Sequence, residues 1–355
     1  MKPAIARAGD TALKQPVTKR VAREGVRLRL DTDRRKAVET PKIGVIYNPK
    51  SAANLGKDPL RAVGVACGRP QTREELVSVL RTFARAEVNI VVVSGGDGTI
   101  REVLTAIPAA YGSQPHPAIA ILAAGRTDLI AGEVGSSGRR DELARLLASA
   151  KAGELRRTRR PVMRFEGVVD TDGNAVTPRG MLMGAAAFAY GTELCQTEVH
   201  ADGASHSTAV GITVARVVGR ILFRGDPDGL LQGEPLSLCA DGKPDTKGPN
   251  AKRSLLLVST LRERLVLGRT PFFGEYRDDQ LQYVETDAPA KGLTRALSSM
   301  VVRKPWLAGP GWNAGAANTL ELNLTRSMII DGEIFRPING RVRVTADPAV
   351  DFVAP

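Results

Sequence analysis

The stretch Ser94-Gly95-Gly96-Asp97-Gly98-Thr99 follows directly on the aliphatic run Ile90-Val91-Val92-Val93. Beyond it, Ile100, Val103, Leu104 and Ile107 recur at i, i+3, i+4 and i+7. A short apolar run, a glycine cluster and a helical stripe read as a buried strand, a sharp turn and an amphipathic helix. Pro108 is expected to end that helix. Similar units flank it. Ile43 to Tyr47 forms a short apolar strand that runs into an Asn48-Pro49-Lys50-Ser51 turn. Thr72 and Glu75 form a capping box before a helix striped by Leu76, Val77, Leu80, Phe83 and Ala84. Ala118 to Leu122 is a third strand, and Leu143, Leu146 and Leu147 mark another helix. Strands alternating with helices predict an α/β domain over residues 41–158, built on a parallel sheet covered on both faces.

Near Arg156-Arg157-Thr158-Arg159-Arg160 the pattern shifts. Strand-like runs at 181–188, 236–240, 254–260, 281–286, 319–325 and 341–345 then dominate. Turn-rich breaks separate them, and helical patterns are confined to 207–223 and 291–301. Residues 159–355 are therefore expected to form a β-sandwich.

Of the 355 residues, 1–40 show no periodicity and read as a basic, disordered tail. Residues 1–42 hold twelve Lys and Arg against five Asp and Glu, which is +7 of the total formal charge of +12. Such a surface favours an anionic partner, nucleic acid or acidic lipid, although a solvated tail would look the same. The basic runs lack interleaved aromatics, which argues against nucleic acid. No run of 18 apolar residues occurs, so no spanning helix is expected, and Met1 to Arg20 lacks the apolar core of a secretory signal. Cys67, Cys195 and Cys239 form no CxxC pair and fit a reducing cytoplasm. His116, His200 and His206 lack metal-site spacing.

At the carboxyl end of a parallel strand, the glycine turn stands where open sheets bind ligands. Backbone without Cβ atoms lets N–H groups approach a phosphate or adopt positive φ, and the following helix adds its positive end. Asp97 would face that anion, which calls for a cation, and Mg²⁺ is the obvious one. Thr99 offers a hydroxyl to the helix or to a phosphate oxygen. The bland alternative is a plain tight turn. The stretch is neither a Walker A loop nor a dinucleotide fingerprint, because neither spacing is present.

These residues resemble the catalytic domain of the diacylglycerol kinase family of lipid kinases, which includes sphingosine and ceramide kinases. Asn48-Pro49-Lys50-Ser51 is similar to its N-P-x-S-G turn. Ala123-Ala124-Gly125-Arg126-Thr127-Asp128-Leu129-Ile130-Ala131 resembles its P-x-G-T-x-N-x-x-A segment, and Asp331-Gly332-Glu333 its late D-G-E. Pro271 to Tyr276 resembles a loop near the acceptor. The sequence departs from the pattern at Ala52, Ala123, Arg126 and Asp128, the last adding a carboxylate near the expected phosphates.

The resemblance implies an N-terminal ATP-binding domain and a C-terminal β-sandwich for the lipid substrate, whose last strand can return to the first domain. It implies ATP and Mg²⁺, and transfer of the γ-phosphate to the hydroxyl of a diacylglycerol, ceramide or sphingoid-type lipid. It places Gly95, Gly96, Asp97, Gly98 and Thr99 on phosphates and metal, with Asn48, Ser51, Thr72, Gly125, Arg126, Thr127 and Asp128 on the nucleotide side. Asp331 would be the general base and Glu333 a metal or positioning residue, although Asp-Gly-Glu alone is also an ordinary hairpin turn. A cytoplasmic enzyme drawn to an anionic membrane surface follows, and a homodimer is compatible with it. Two other readings stay open: a kinase of a soluble acceptor such as NAD, and an inactive lipid- or nucleotide-binding homologue.

Overall fold

The strand-helix alternation builds a parallel sheet. In the computed structural model, residues 41–59, 62–125, 128–134, 141–190, 232–248, 250–262, 277, 279–290 and 310–355 are described. The first part comprises β1 (Ile43–Tyr47), β2 (Ala66–Gly68), α1 (Arg73–Arg85), β3 (Ile90–Gly95), α2 (Asp97–Tyr111), β4 (Ala118–Ala123), α3 (Leu129–Val134) and α4 (Glu142–Ala152). Strands β2, β1, β3 and β4 lie side by side and parallel. Alternation along β3 sorts its side chains. Val91 and Val93 pack with Leu80 of α1 and Val103 of α2. Val92 packs on the other face with Leu143 and Leu146 of α4.

The second part comprises β5 (Arg156–Glu166), β6 (Val168–Val169), β7 (Ala175–Val176), β8 (Arg179–Gly180), β9 (Leu182–Ala186), β10 (Glu234–Ala240), β11 (Lys252–Ser259), β12 (Leu281–Asp287), β13 (Trp312–Ala317), β14 (Thr319–Leu324), β15 (Met328–Ile330), β16 (Glu333–Pro337) and β17 (Arg341–Ala354). Two antiparallel layers form. One runs β10–β14–β17–β5–β8. The other runs β13–β12–β11–β9–β15–β16. Between them Phe165, Leu236, Leu256, Leu322, Phe335 and Val344 make a dry core. This is the expected α/β fold with a β-sandwich behind it. The Glu234↔Arg253 and Pro235↔Lys252 pairs join the layers at one edge.

Strand β17 ties the halves together. It pairs with β14 and β5 in the sandwich, and its far end lies parallel to β4, with Phe352 opposite Ile119 and Val353 opposite Ala120. It is much longer than the 341–345 run, because its second half carries mixed residues with no clean alternation. Residues 40–355 form one compact unit.

Pro108 does not end α2, which continues to Tyr111. Proline removes one N–H and leaves its carbonyl free, and Gly112 N donates to that carbonyl at 3.0 Å. Tyr111 is buried and donates its hydroxyl to Val88 O at 3.1 Å, which holds the last turn in place. Among the described residues, no helix is long and apolar enough to cross a membrane. The expectations for 1–40, 207–223, 271–276 and 291–301, and for Arg126 and Thr127, lie outside the described residues.

Candidate active site

The glycine turn answers to the protein before it answers to any ligand. Gly96 is the N-cap of α2, with φ −93 and ψ −175. That is extended backbone open to any residue, so left-handed geometry is not what glycine supplies here. A Cβ on Gly95 would meet the Thr99 side chain at 2.5 Å. One on Gly96 would lie 2.8 Å from Gly125 Cα, and one on Gly98 3.2 Å from Glu333 Oε1. Three parts of the chain thus close on three glycines.

Beside this turn lies a cavity of about 430 Å³. Asn48, Ser51, Thr72, Gly96, Gly98, Thr99 and Glu333 line it, together with Lys50, Arg73 and Glu102. The start of α2 therefore opens onto a space flanked by two cations, an arrangement suited to an anion. Asn48 Nδ2 donates to Thr99 Oγ1 at 2.8 Å, joining the β1 turn to the glycine turn. Buried Asn54 fastens the two from behind, donating to Asn48 O at 2.9 Å and to Ser94 O at 3.1 Å. Thr72 caps α1 by accepting from Glu75 N at 3.2 Å, while the Glu75 side chain reaches past the cap and accepts from Gln71 N at 2.6 Å, so only half of the expected capping box forms.

Asp97 differs from its expected role. Its two carboxylate oxygens accept from Leu129 N and Ile130 N, each at 3.0 Å, and so cap the start of α3. It does not line the cavity. Burial pushes its carboxyl up to about 6, against those two N–H donors, and the neighbouring Asp128 adds to the rise. Gly95, Gly125 and Asp128 also lie behind the cavity wall. Asp128 has φ 49, a left-handed conformation that Asp and Asn tolerate, and accepts from Gly125 N at 2.9 Å. It therefore acts as a turn acceptor, a task for which Asp and Asn are equivalent.

Asp331 and Gly332, both with positive φ, form the two-residue turn between β15 and β16. The Asp331 carboxylate accepts from Met181 N at 3.0 Å and Leu182 N at 2.9 Å. A Cβ on Gly180 would meet it at 2.7 Å, so that glycine makes room for it. The residue is 8% exposed and, like Asp97, does not line the cavity. Burial first, and the charge of Asp97 second, raise its carboxyl to about 7; the two N–H donors and Arg101 oppose the rise. Glu333, 48% exposed, stands at the cavity.

Sequence reasoning missed the ionic chain behind this wall. Arg101 Nη2 donates to Glu102 Oε1 at 2.7 Å and to Glu333 Oε2. Glu102 also pairs with Arg73 at 3.2 Å, and Arg73 reaches Asp170 in the β6–β7 turn. The signal lay in the sequence: Arg101 falls beside Ile100 on the buried arc of α2, where a charge needs a partner.

Among the described residues no cluster of three His, Cys, Asp or Glu side chains could hold a metal. Mg²⁺ needs no such cage, since one or two carboxylates beside substrate phosphates suffice. Glu333 and Glu102 place two carboxylates at the cavity, each already paired with Arg101 and Glu102 also with Arg73, whereas Asp97 does not line it.

A parallel sheet with a cavity at its glycine turn is thus backed by an antiparallel sandwich. Residues 42–158 match the family model for the diacylglycerol kinase catalytic domain. Among solved structures, a Bacillus anthracis str. Sterne protein described as a candidate diacylglycerol kinase is 13% identical. The match has a TM-score of 0.58 and covers 88% of this chain and 97% of that one. A second structure, described as a diacylglycerol kinase from the same organism, is 12% identical with a TM-score of 0.54 over the same shares. At these identities the likeness is one of fold. Yeast NADH kinase, complexed with NADH, gives a TM-score of 0.45 at 10% identity, covering 89% of this chain and 84% of that one. No curated protein matches the sequence.

Proposed function

We propose that this protein is a Mg²⁺-dependent lipid kinase that transfers the γ-phosphate of ATP to a lipid hydroxyl at a membrane surface. The observation that carries the reading is the meeting of the α2 N-terminus and Glu333, the end of the Asp331-Gly332-Glu333 turn, at one cavity. The phosphates would lie against Gly96, Gly98 and Thr99, with Lys50 and Arg73 balancing their charge. Mg²⁺, held by Glu333 with Glu102, would neutralise charge developing between the phosphates. Asp331 would accept the proton of the lipid hydroxyl as its oxygen attacks phosphorus. A carboxyl raised to about 7 suits that task, because it is partly ionised near neutrality yet basic enough to hold the proton. Asp97 would act behind it, keeping α3 in register and raising Asp331 by its charge.

Lipid acceptors with long chains stay in the bilayer, so the enzyme must reach them there. Arg156, Arg157 and Arg159 are exposed along β5, and with the basic residues of 1–42 they would favour an anionic leaflet by about 1 kcal/mol per near-surface cation.

The experiment is incubation with radiolabelled ATP and Mg²⁺, offering a total lipid extract in one arm and NAD in the other. Label entering the organic phase with lipid alone supports the reading. Label on NAD would make the acceptor soluble. No transfer in either arm, with nucleotide still bound, would leave a binding homologue.

A further inference from the structure

We propose that Arg101 is a positioning residue for phosphoryl transfer: one buried guanidinium that holds Glu333 and Glu102 in place at the cavity. The inference rests on the kinase reading and deepens it.

Arg101 is 1% exposed, among the largest fully buried side chains. A buried arginine is expensive to desolvate, and apolar residues of similar volume would usually serve the core as well. Its two carboxylate partners, Glu102 and Glu333, both line the cavity. Its guanidinium lies 5.0 Å from the centre of the Phe335 ring, which fixes the plane of the fork. Its Nε is buried with no hydrogen-bond partner. A side chain kept for packing alone would not retain that cost. It therefore serves the charges it faces.

Those charges come from two elements: Glu102 lies on the same helix and Glu333 on β16. Arg101 and Arg73 of α1 share Glu102, and Arg73 in turn holds Asp170. Arg101 is thus the one buried cation among the described residues that touches both Glu102 and Glu333. It also joins two segments 232 positions apart. Without it, Glu333 would swing free.

The test compares wild type, R101K, R101M, E333Q and the double variant R101M/E333Q. R101M should lower kcat about 100-fold, the scale of a misplacement near 1 Å. Its affinity for a fluorescent ATP analogue should stay within about threefold, since Arg101 is behind the cavity wall. R101M/E333Q should lose little more than the worse single variant, because the two act as one unit. Strictly additive losses would overturn the inference. Should R101M fail to fold, R101K and E333Q carry the comparison: a guanidinium-specific role requires R101K to lose at least about tenfold in kcat at neutral pH. A readout that needs no turnover separates this claim from the kinase reading. The stabilities of R101M, E333Q and R101M/E333Q in chemical denaturation at neutral pH should likewise be non-additive. That result would stand even if no acceptor were phosphorylated, and strict additivity would sink the pairing while leaving the kinase reading intact.

Discussion

Gly96 and Gly125 meet backbone to backbone. A Cβ on the first would lie 2.8 Å from Gly125 Cα, and a Cβ on the second 2.6 Å from Gly96 Cα. The glycine turn after β3 and the loop after β4 are therefore pressed together, with Ala124 N donating to Gly95 O at 3.1 Å between them. Backbone cannot swing aside as a side chain can. We predict that G96A costs about 1–3 kcal/mol of stability, as overpacking does, and weakens binding of an ATP analogue at least about tenfold. G98A should be milder, since the Glu333 carboxylate it approaches at 3.2 Å can give way. Chemical denaturation of both variants decides the point; equal stabilities would show that the contact does not constrain the turn.

Thr72 lines the cavity and also caps α1, and the two roles separate by substitution. T72A should lose about 1 kcal/mol, the usual cost of an N-cap, and T72S should lose almost none. If capping is the whole role, nucleotide affinity in T72A stays within about twofold, since the geometry of Asn48 and Thr99 is untouched. A tenfold loss of affinity in T72A, rescued by T72S, would instead place the hydroxyl on the ligand.

Local chemistry was legible in the sequence where residues close in the chain determine it. The Thr72 cap on Glu75 N is a three-residue relationship, and it forms, although the Glu75 side chain accepts from Gln71 N in place of Thr72 N. The strands of the parallel sheet announced themselves because a run buried on both faces must be apolar throughout, as β1 and β3 are. The roles of Asp97 and Gly96 were not legible, because what they touch is decided by packing with Leu129, Ile130 and Gly125, about thirty residues away. An aspartate in a glycine turn looks like a metal ligand until a second helix start arrives to be capped. Arg101 was hidden for a related reason: its partner Glu333 comes from the last quarter of the chain. Strand β17 was read short because an alternating pattern ends at Thr345, while pairing with β5 on one side continues to Ala354.

The metal assignment separates Asp97 from Glu333. Both were expected on Mg²⁺, but both oxygens of Asp97 accept backbone N–H groups at the start of α3. E333Q should raise the Mg²⁺ concentration for half-maximal activity about tenfold or more, in line with the loss of a metal-binding carboxylate or its supporting contact. D97N should leave that concentration within about threefold while lowering stability, since an amide nitrogen would face an N–H donor. A magnesium titration of each variant reads this directly. The reverse order of effects would restore Asp97 as the ligand.

Asp331 stands at odds with stability, and that conflict gives a pH prediction with a definite sign. Its carboxyl is raised from 3.8 to about 7 in the folded protein, chiefly by burial. Between those two values the folded state holds a proton that the unfolded chain has released. Stability attributable to this group is therefore full below about pH 4 and falls as pH rises towards 7. Asparagine has nearly the same shape and tolerates the φ of 45 found there, and its oxygen can accept from Leu182 N, but its nitrogen would face Met181 N, which lies 3.0 Å from Oδ2. D331N should therefore carry a fixed cost and gain on wild type as pH rises, the difference in Tm moving in its favour by at least about 2 °C between pH 5 and pH 8. The same variant should lose about 10²- to 10⁴-fold in phosphoryl transfer, the usual contribution of a general base. Melting curves across pH 5–9 with a parallel transfer assay test both halves, and a Tm difference that stays flat with pH would mean that the Asp331 carboxyl is not raised in the folded protein.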